Sequence, residues 1–201
     1  MGRRSDHTRE ELTALFVEVG WRQLAERGLA RFSARDAAKQ AGYSVGSIYN
    51  VFGSYDGLIL AINMRTLQAW TAHMRARLET AGDRDRIAAL VSGYFDFAAA
   101  QPKAWIAIFE HHMADSGAAP EAYQQVVAGI MDLVAGEIAA ALPGAAPDAV
   151  RALARSLTAT VHGHCYFSLF RTFDMLGETA PEAAALARVR EAISAAQAAA
   201  G

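Results

Sequence analysis

Cysteine occurs once in this 201-residue chain, at Cys165, so no intramolecular disulfide and no paired-cysteine metal motif can form. A reducing cytoplasm is the compartment such usage suits. Long apolar runs are also lacking. None approaches the roughly 18 residues a membrane span needs, because Asp96 and Gln101 interrupt the most apolar segment, so a soluble protein without a membrane partner is expected. No secretory leader is expected either: Arg3 and Arg4 supply early positive charge, but Glu10 and Glu11 stand where an apolar stretch would have to follow. The valine- and isoleucine-rich alternation of strands is missing, and the periodicity is helical nearly throughout, which makes the fold class all-α.

No charge of one sign is in large excess. The net charge of −2 argues weakly against a phosphate-rich partner. The distribution says more: through Gly53 there are eight Lys/Arg against six Asp/Glu, and the remainder holds eleven against fifteen. The positive end is the N-terminus, with Arg3, Arg4 and Arg9 close together.

Thr8-Arg-Glu-Glu11 has the spacing of a capping box, and Leu12, Leu15, Phe16 and Val19 mark one face of a first helix that ends near Gly28. Ser33-Ala-Arg-Asp36 opens a short second helix bearing Ala37, Ala38 and Ala41. Gly42 interrupts it, Ser44 is placed to cap a third helix, and Ile48 and Phe52 lie four apart on that helix. Ser54, with Asp56 in the next turn, starts a longer fourth helix. Ile87, Leu90, Val91, Tyr94, Phe95 and Ala98 then form an amphipathic stripe, and Pro102 suits the first turn of the following helix. Pro120, Pro147 and Pro181 punctuate the rest into helices near 121–142, 148–174 and 181–199. A small three-helix head over residues 1–53, joined through the fourth helix to a helical-bundle body over 54–201, is the expected organisation.

Two short helices around a glycine turn, Ser33 to Phe52, have the spacing of a helix-turn-helix. Ala37 and Ala41 allow close approach, Gly42 can take the positive φ of the turn, and Ile48 buries the third helix against the second. The segment from Phe16 to Leu58, with its order Gly28, Ser-x-Arg-Asp, Ala-Gly-x-Ser, Gly-Ser-Ile-Tyr, Phe52 and Ser54, resembles the TetR repressor family. That resemblance implies a double-stranded DNA operator as partner. It further implies that Arg35 enters the major groove beside the second helix, and that Val45, Gly46, Ser47 and Tyr49 face the bases. Asn50, Ser33 and Ser54 would hold phosphates. Ser44 can serve as cap and phosphate ligand together, since orphan amides sit there. The family often has Lys where Val45 stands, and usually Lys where Tyr55 begins the fourth helix. Both departures remove positive charge, so a reduced salt dependence is expected, with more reliance on Arg35, the Arg3/Arg4 arm and tyrosine hydroxyls such as that of Tyr55.

Beyond the head, Pro102-Lys-Ala-Trp-Ile-Ala-Ile-Phe109 and the His162-Gly163 pair resemble a TetR branch known for a Trp…His-Gly signature, although Thr158 stands where that branch commonly has its Trp. The resemblance implies a homodimer paired through the last two helices and a small, largely apolar effector bound in the body. Trp70, Tyr94, Phe97, Trp105, Phe109, His112, Met113, Met131, His162 and Tyr166 are the candidates for lining such a pocket.

No cofactor is expected, and no metal: His111 and His112 are adjacent, His162 and His164 two apart, and His111 with Asp115, which has a helical ligand spacing, is also an ordinary helix-surface pair. No nucleophile elbow, phosphate loop or dinucleotide glycine pattern is present, which argues against an enzyme. Cys165 beside His162 is the one arrangement a helical enzyme could use, and a small buried hydrophobe accounts for it better. The same fold serving as an architectural or protein-partner module, without small-molecule sensing, is the alternative function.

Overall fold

A computed structural model describes residues 8–111 and 119–200. Arg3, Arg4, His112, Met113 and Asp115 lie outside the described residues. Those described form α1 (Arg9–Arg27), a 3-10 turn (Leu29–Arg31), α2 (Ala34–Gln40), α3 (Val45–Phe52), α4 (Tyr55–Ala81), α5 (Arg86–Ala100), α6 (Pro102–Glu110), α7 (Glu121–Ala141), α8 (Pro147–Leu169), α9 (Thr172–Leu176) and α10 (Pro181–Ala200), with no strand among them.

Local chemistry sets most helix starts. Thr8 Oγ1 accepts from the Glu11 amide at 3.2 Å while Glu11 Oε2 accepts from the Thr8 amide at 2.8 Å, the reciprocal pair of a capping box. Ser33 Oγ accepts from the Asp36 amide at 3.2 Å and Ser54 Oγ from the Gly57 amide at 2.9 Å. Pro102 and Pro147 occupy first-turn positions, where their missing N–H costs nothing.

The chain divides into two compact units. The first comprises residues to Ala69 with Gln101–Tyr123. Its core is built from Phe16, Leu24, Ala37, Ile48, Leu58, Ile59 and Ile62, with Ala104 and Ala107 of α6 completing it. Two buried polar side chains cross-link it: Gln23 Oε1 accepts from the Ser33 amide at 2.9 Å, and Asn63 Nδ2 donates to the Ala107 carbonyl at 3.2 Å. The division expected after residue 53 falls inside this unit. Compactness divides the chain elsewhere, because the first half of α4 and the whole of α6 pack into the head's core.

The second unit comprises Trp70–Ala100 and Gln124–Gly201. α8 packs along α10, and both lie against α5. The N-terminus of α5 is tied twice: Arg86 donates through Nε and Nη2 to the two carboxylate oxygens of Glu137 at 2.7 Å each, and Asp85 pairs with Arg190. The single helix expected over 148–174 is instead broken. Arg171 adopts a left-handed φ of 58°, its guanidinium is held by Asp174 at 2.7 Å, and α9 begins after it. No glycine or proline announces that break, so the helical periodicity runs through it unmarked.

Candidate functional site

The turn between α2 and α3 follows from Gly42. At φ 83° it lets the Gly42 amide bond the Lys39 carbonyl at 3.1 Å and the Tyr43 amide bond the Ala38 carbonyl at 2.9 Å, the paired bonds of a Schellman ending. Tyr43 is thereby delivered edge-on to Phe16, with centroids 5.6 Å apart. α3 is anchored by Ile48, which is fully buried. At its far end Gly53, φ 77°, turns the chain so that α3 and α4 are bent by 74°. Arg9 Nη2 donates to the Val51 carbonyl at 3.2 Å, placing a cation where the α3 dipole is negative.

With Ile48 inward, the opposite side of α3 faces out. Tyr49 is 45% exposed, and Gly46 and Asn50 are also exposed. Arg35 and Lys39 of α2 are exposed as well, and Ser54 and Tyr55 stand at the α4 start. Val45 and Ser47 are half-buried, Val45 packing on the head's core. Ser44 stands at the start of α3, but its side chain makes no cap bond; its hydroxyl lies 3.3 Å from that of Ser47 instead. Only the Ser44 carbonyl serves the helix, accepting from the Ser47 amide. The Tyr55 ring lies on Phe32, and burial, with the nearby Asp56 and Tyr49, pushes its phenol above the usual value. The hydroxyl therefore stays a neutral donor at physiological pH. No charged residue lies on α3 itself.

A cavity of about 50 Å³ opens in the second unit. α4 contributes Trp70 and Met74, and α5 contributes Ile87, Leu90, Val91 and Tyr94. Val134 and Ile138 come from α7, Leu157, Thr158 and Val161 from α8, and Val189 from α10. Trp70 meets Tyr94 edge to face at 5.0 Å, and the Tyr94 hydroxyl lies 2.9 Å from His162 Nδ1. Burial holds the His162 imidazole below its usual pKa, so it is neutral there and can accept from the phenol.

Of the residues expected to line a pocket, Trp70 and Tyr94 line this one. His162 stands behind Tyr94. Phe97 is buried against His73, Met131 is half-buried on α7, and Tyr166 is partly exposed between His162 and Phe170. Trp105 and Phe109 belong to the first unit, where Trp105 is fully buried. The wall is mainly aliphatic, and its signal in the sequence was the apolar stripes of α4 and α5 rather than the density of aromatics.

His164 turns back to the Thr160 carbonyl of its own helix at 2.9 Å, so it and His162 point to different partners. Burial, with the Glu182 charge, pushes the Cys165 thiol up to about 12, which leaves no thiolate for nucleophilic chemistry. Among the described residues, no three metal-ligating side chains come together, and no single helix is long and apolar enough to cross a membrane.

The sequence model described as bacterial regulatory proteins, tetR family, matches residues 16–62, and one described as Tetracyclin repressor-like, C-terminal domain, matches residues 87–193. The HTH-type transcriptional regulator BetI of Burkholderia cenocepacia is 31% identical over 112 residues, a match covering 53% of this chain and 58% of that relative. The fold is similar to that of a Rhodococcus protein of unknown function (TM-score 0.72, 21% identity, 97% of this chain and 98% of that one). It is also similar to the multidrug binding protein EbrR complexed with imidazole (TM-score 0.63, 20% identity, 93% and 96%). The helix-turn-helix match at residues 16–62 and the C-terminal match, which alone takes in more than half of the chain, agree: this protein belongs to the TetR family of bacterial regulatory proteins.

Proposed function

We propose that the chain acts in the cytoplasm as a homodimeric repressor that grips a palindromic operator and is released when a small, largely apolar effector enters its body. One observation carries the DNA half of this reading: Ile48 is fully buried while Gly46, Tyr49 and Asn50 on the other side of α3 are exposed beside Arg35. In this arrangement Arg35, Tyr49, Gly46 and Ser47 meet base edges, Val45 packs on a thymine methyl, and Ser33, Ser44, Asn50, Ser54 and Tyr55 meet phosphates. A two-fold pair would set two α3 helices roughly 34–36 Å apart, one duplex turn.

Pairing of two chains is supported by the large apolar groups left exposed at the end of α8 and in α9: Tyr166, Phe167, Phe170, Met175 and Leu176. Sensing is supported by the cavity, and by α4, one continuous helix whose first half builds the head's core and whose second half supplies two of the cavity's lining residues, Trp70 and Met74. Kinship with the Trp…His-Gly branch rests on His162 and Gly163, with Thr158 forming cavity wall where that branch has its Trp. That EbrR is a multidrug binding protein fits an apolar effector here.

Selecting an operator from random duplexes, then titrating it with wild type, Arg35→Ala and Tyr49→Ala, tests the reading. Both variants should lose sequence-selective retention, each by about 1–3 kcal/mol. Wild-type affinity in both, or retention as a one-chain complex, would overturn it.

A further inference from the structure

Resting on the reading of α3 as the element that enters the major groove, we propose that Asn50 reads an adenine there, so that α3 selects an A·T pair and guanine is left to Arg35 on α2. This moves Asn50 from the phosphate backbone, where the family resemblance sets it, to a base edge.

Position on the helix carries the assignment. Ile48 is fully buried and fixes which way α3 faces. At 3.6 residues per turn, Gly46 and Asn50 each stand roughly 160° from Ile48 and within about 40° of one another, and both are exposed. They form the stripe that points straight away from the head's core. A helix with its side chains is about 10–12 Å across and the major groove about 12 Å wide, so residues on its flanks meet the phosphate walls and those on its leading stripe meet the bases. Gly46 puts no side chain on that stripe, and a Cβ there would meet nothing nearer than Ser44 Oγ at 3.6 Å. Side chains on a helix lean toward its N-terminus, which carries the Asn50 amide over the bare turn at Gly46. The other candidates point elsewhere. Val45 packs on the core, Ser47 is half-buried with its hydroxyl 3.3 Å from that of Ser44, and Tyr49 lies roughly 100° round from Asn50. No hydrogen bond to another described residue engages the Asn50 amide.

The amide's chemistry then names the base. A carboxamide holds one acceptor and two donors in a single plane. In the major groove adenine presents an acceptor, N7, beside a donor, the N6 amino group, and so takes two bonds from it. Guanine presents two acceptors, N7 and O6, which call for a fork of donors such as arginine. α3 carries no charged residue, whereas Arg35 is exposed on α2 beside it.

Selection of duplexes from a random pool by the full chain supplies the half-site. Its adenines are then replaced one at a time by 7-deazaadenine, which keeps base pairing but lacks the N7 acceptor. One replacement per half-site should weaken wild-type binding about twofold to tenfold, the loss of one hydrogen bond, and should leave Asn50→Ala unaffected. Any other base pair at that position should cost the wild type about fivefold to 150-fold. Asn50→Ala should lose the preference there and keep the preference for guanine that Arg35→Ala abolishes. Because Asn50 is exposed, the variant should keep the wild-type urea midpoint, so its binding reports contact rather than folding. An Asn50→Ala variant that binds every sequence more weakly by the same factor would return Asn50 to a phosphate; it would overturn this proposal and leave the proposed function standing. A half-site in which no adenine N7 matters, or in which Asn50→Ala keeps the adenine preference, would do the same. Failure to select any sequence would overturn both.

Discussion

Alanine at Gly57 would put a Cβ 2.3 Å from the carbonyl oxygen of Phe52 and 3.3 Å from its carbonyl carbon. Carbon and oxygen ordinarily come no closer than about 3.3 Å, so the deficit is about 1 Å. Both sides of the clash are backbone: Phe52 ends α3, and Gly57 lies in the first turn of α4. No side-chain rotation relieves it, and α3 must swing about Gly53. On helix propensity alone the substitution would gain about 1 kcal/mol, whereas overpacking of this kind costs about 1–3 kcal/mol and sometimes more, so Gly57→Ala should be destabilised overall and should present α3 at the wrong angle. Gly46 is the control, because a Cβ there meets nothing nearer than Ser44 Oγ at 3.6 Å. Gly46→Ala should keep its stability or gain up to about 1 kcal/mol, yet bind the operator less well because a methyl group now stands on the groove-facing side. Urea denaturation followed by circular dichroism, together with operator titration, separates the two. An unchanged midpoint and affinity in Gly57→Ala would refute the close approach, and wild-type affinity in Gly46→Ala would refute the orientation of α3.

Ser33→Ala removes the acceptor for the Asp36 amide and should cost about 1 kcal/mol in the same urea experiment; a loss below a few tenths would mean the cap is not formed in solution. Tyr55→Lys restores a cation at the α4 start and should steepen the dependence of log operator affinity on log salt by about 0.9, one phosphate's worth; an unaltered slope would show that this position does not meet the backbone. The His162 imidazole has its pKa lowered by burial, so the unfolded chain takes up the proton first. Its contribution to stability is then complete above the unfolded value, about 6.5, and is lost as pH falls through the lower folded one. Melting temperatures of wild type and His162→Gln should therefore converge between about pH 7.5 and pH 5, and a gap that stays constant would contradict the depressed pKa.

Short-range chemistry was legible in the chain. Thr8 with Glu11, Ser33 with Asp36, and Gly42 after the alanine-rich α2 each decide their structure within three or four residues, so their spacing alone announced the starts of α1 and α2 and the turn before α3. Ser44 shows the limit of that logic, since a serine at a helix start can bond another hydroxyl as readily as an amide. Arg171 shows another: a left-handed residue that is neither glycine nor asparagine owes its conformation to neighbours such as Asp174. The lining of the cavity differs from the expected set for a tertiary reason. Trp105 and Phe109 follow α5 directly in sequence, but Ala104 and Ala107 on the same short helix fit the head's core and carry them there. The cavity then falls to residues of five helices, most of them aliphatic, an assembly that no local pattern records.

A reading helix without a single ionised side chain has a consequence for how such a regulator shares the cell with its chromosome. Random sequence competes for these proteins by charge, across roughly 10⁶–10⁹ alternative positions. In the DNA complex proposed above, α3 adds no Coulombic attraction of its own, so the pull of random sequence falls to cations outside it such as Arg35 and Lys39, and α3 contributes to occupancy of the true site by fit.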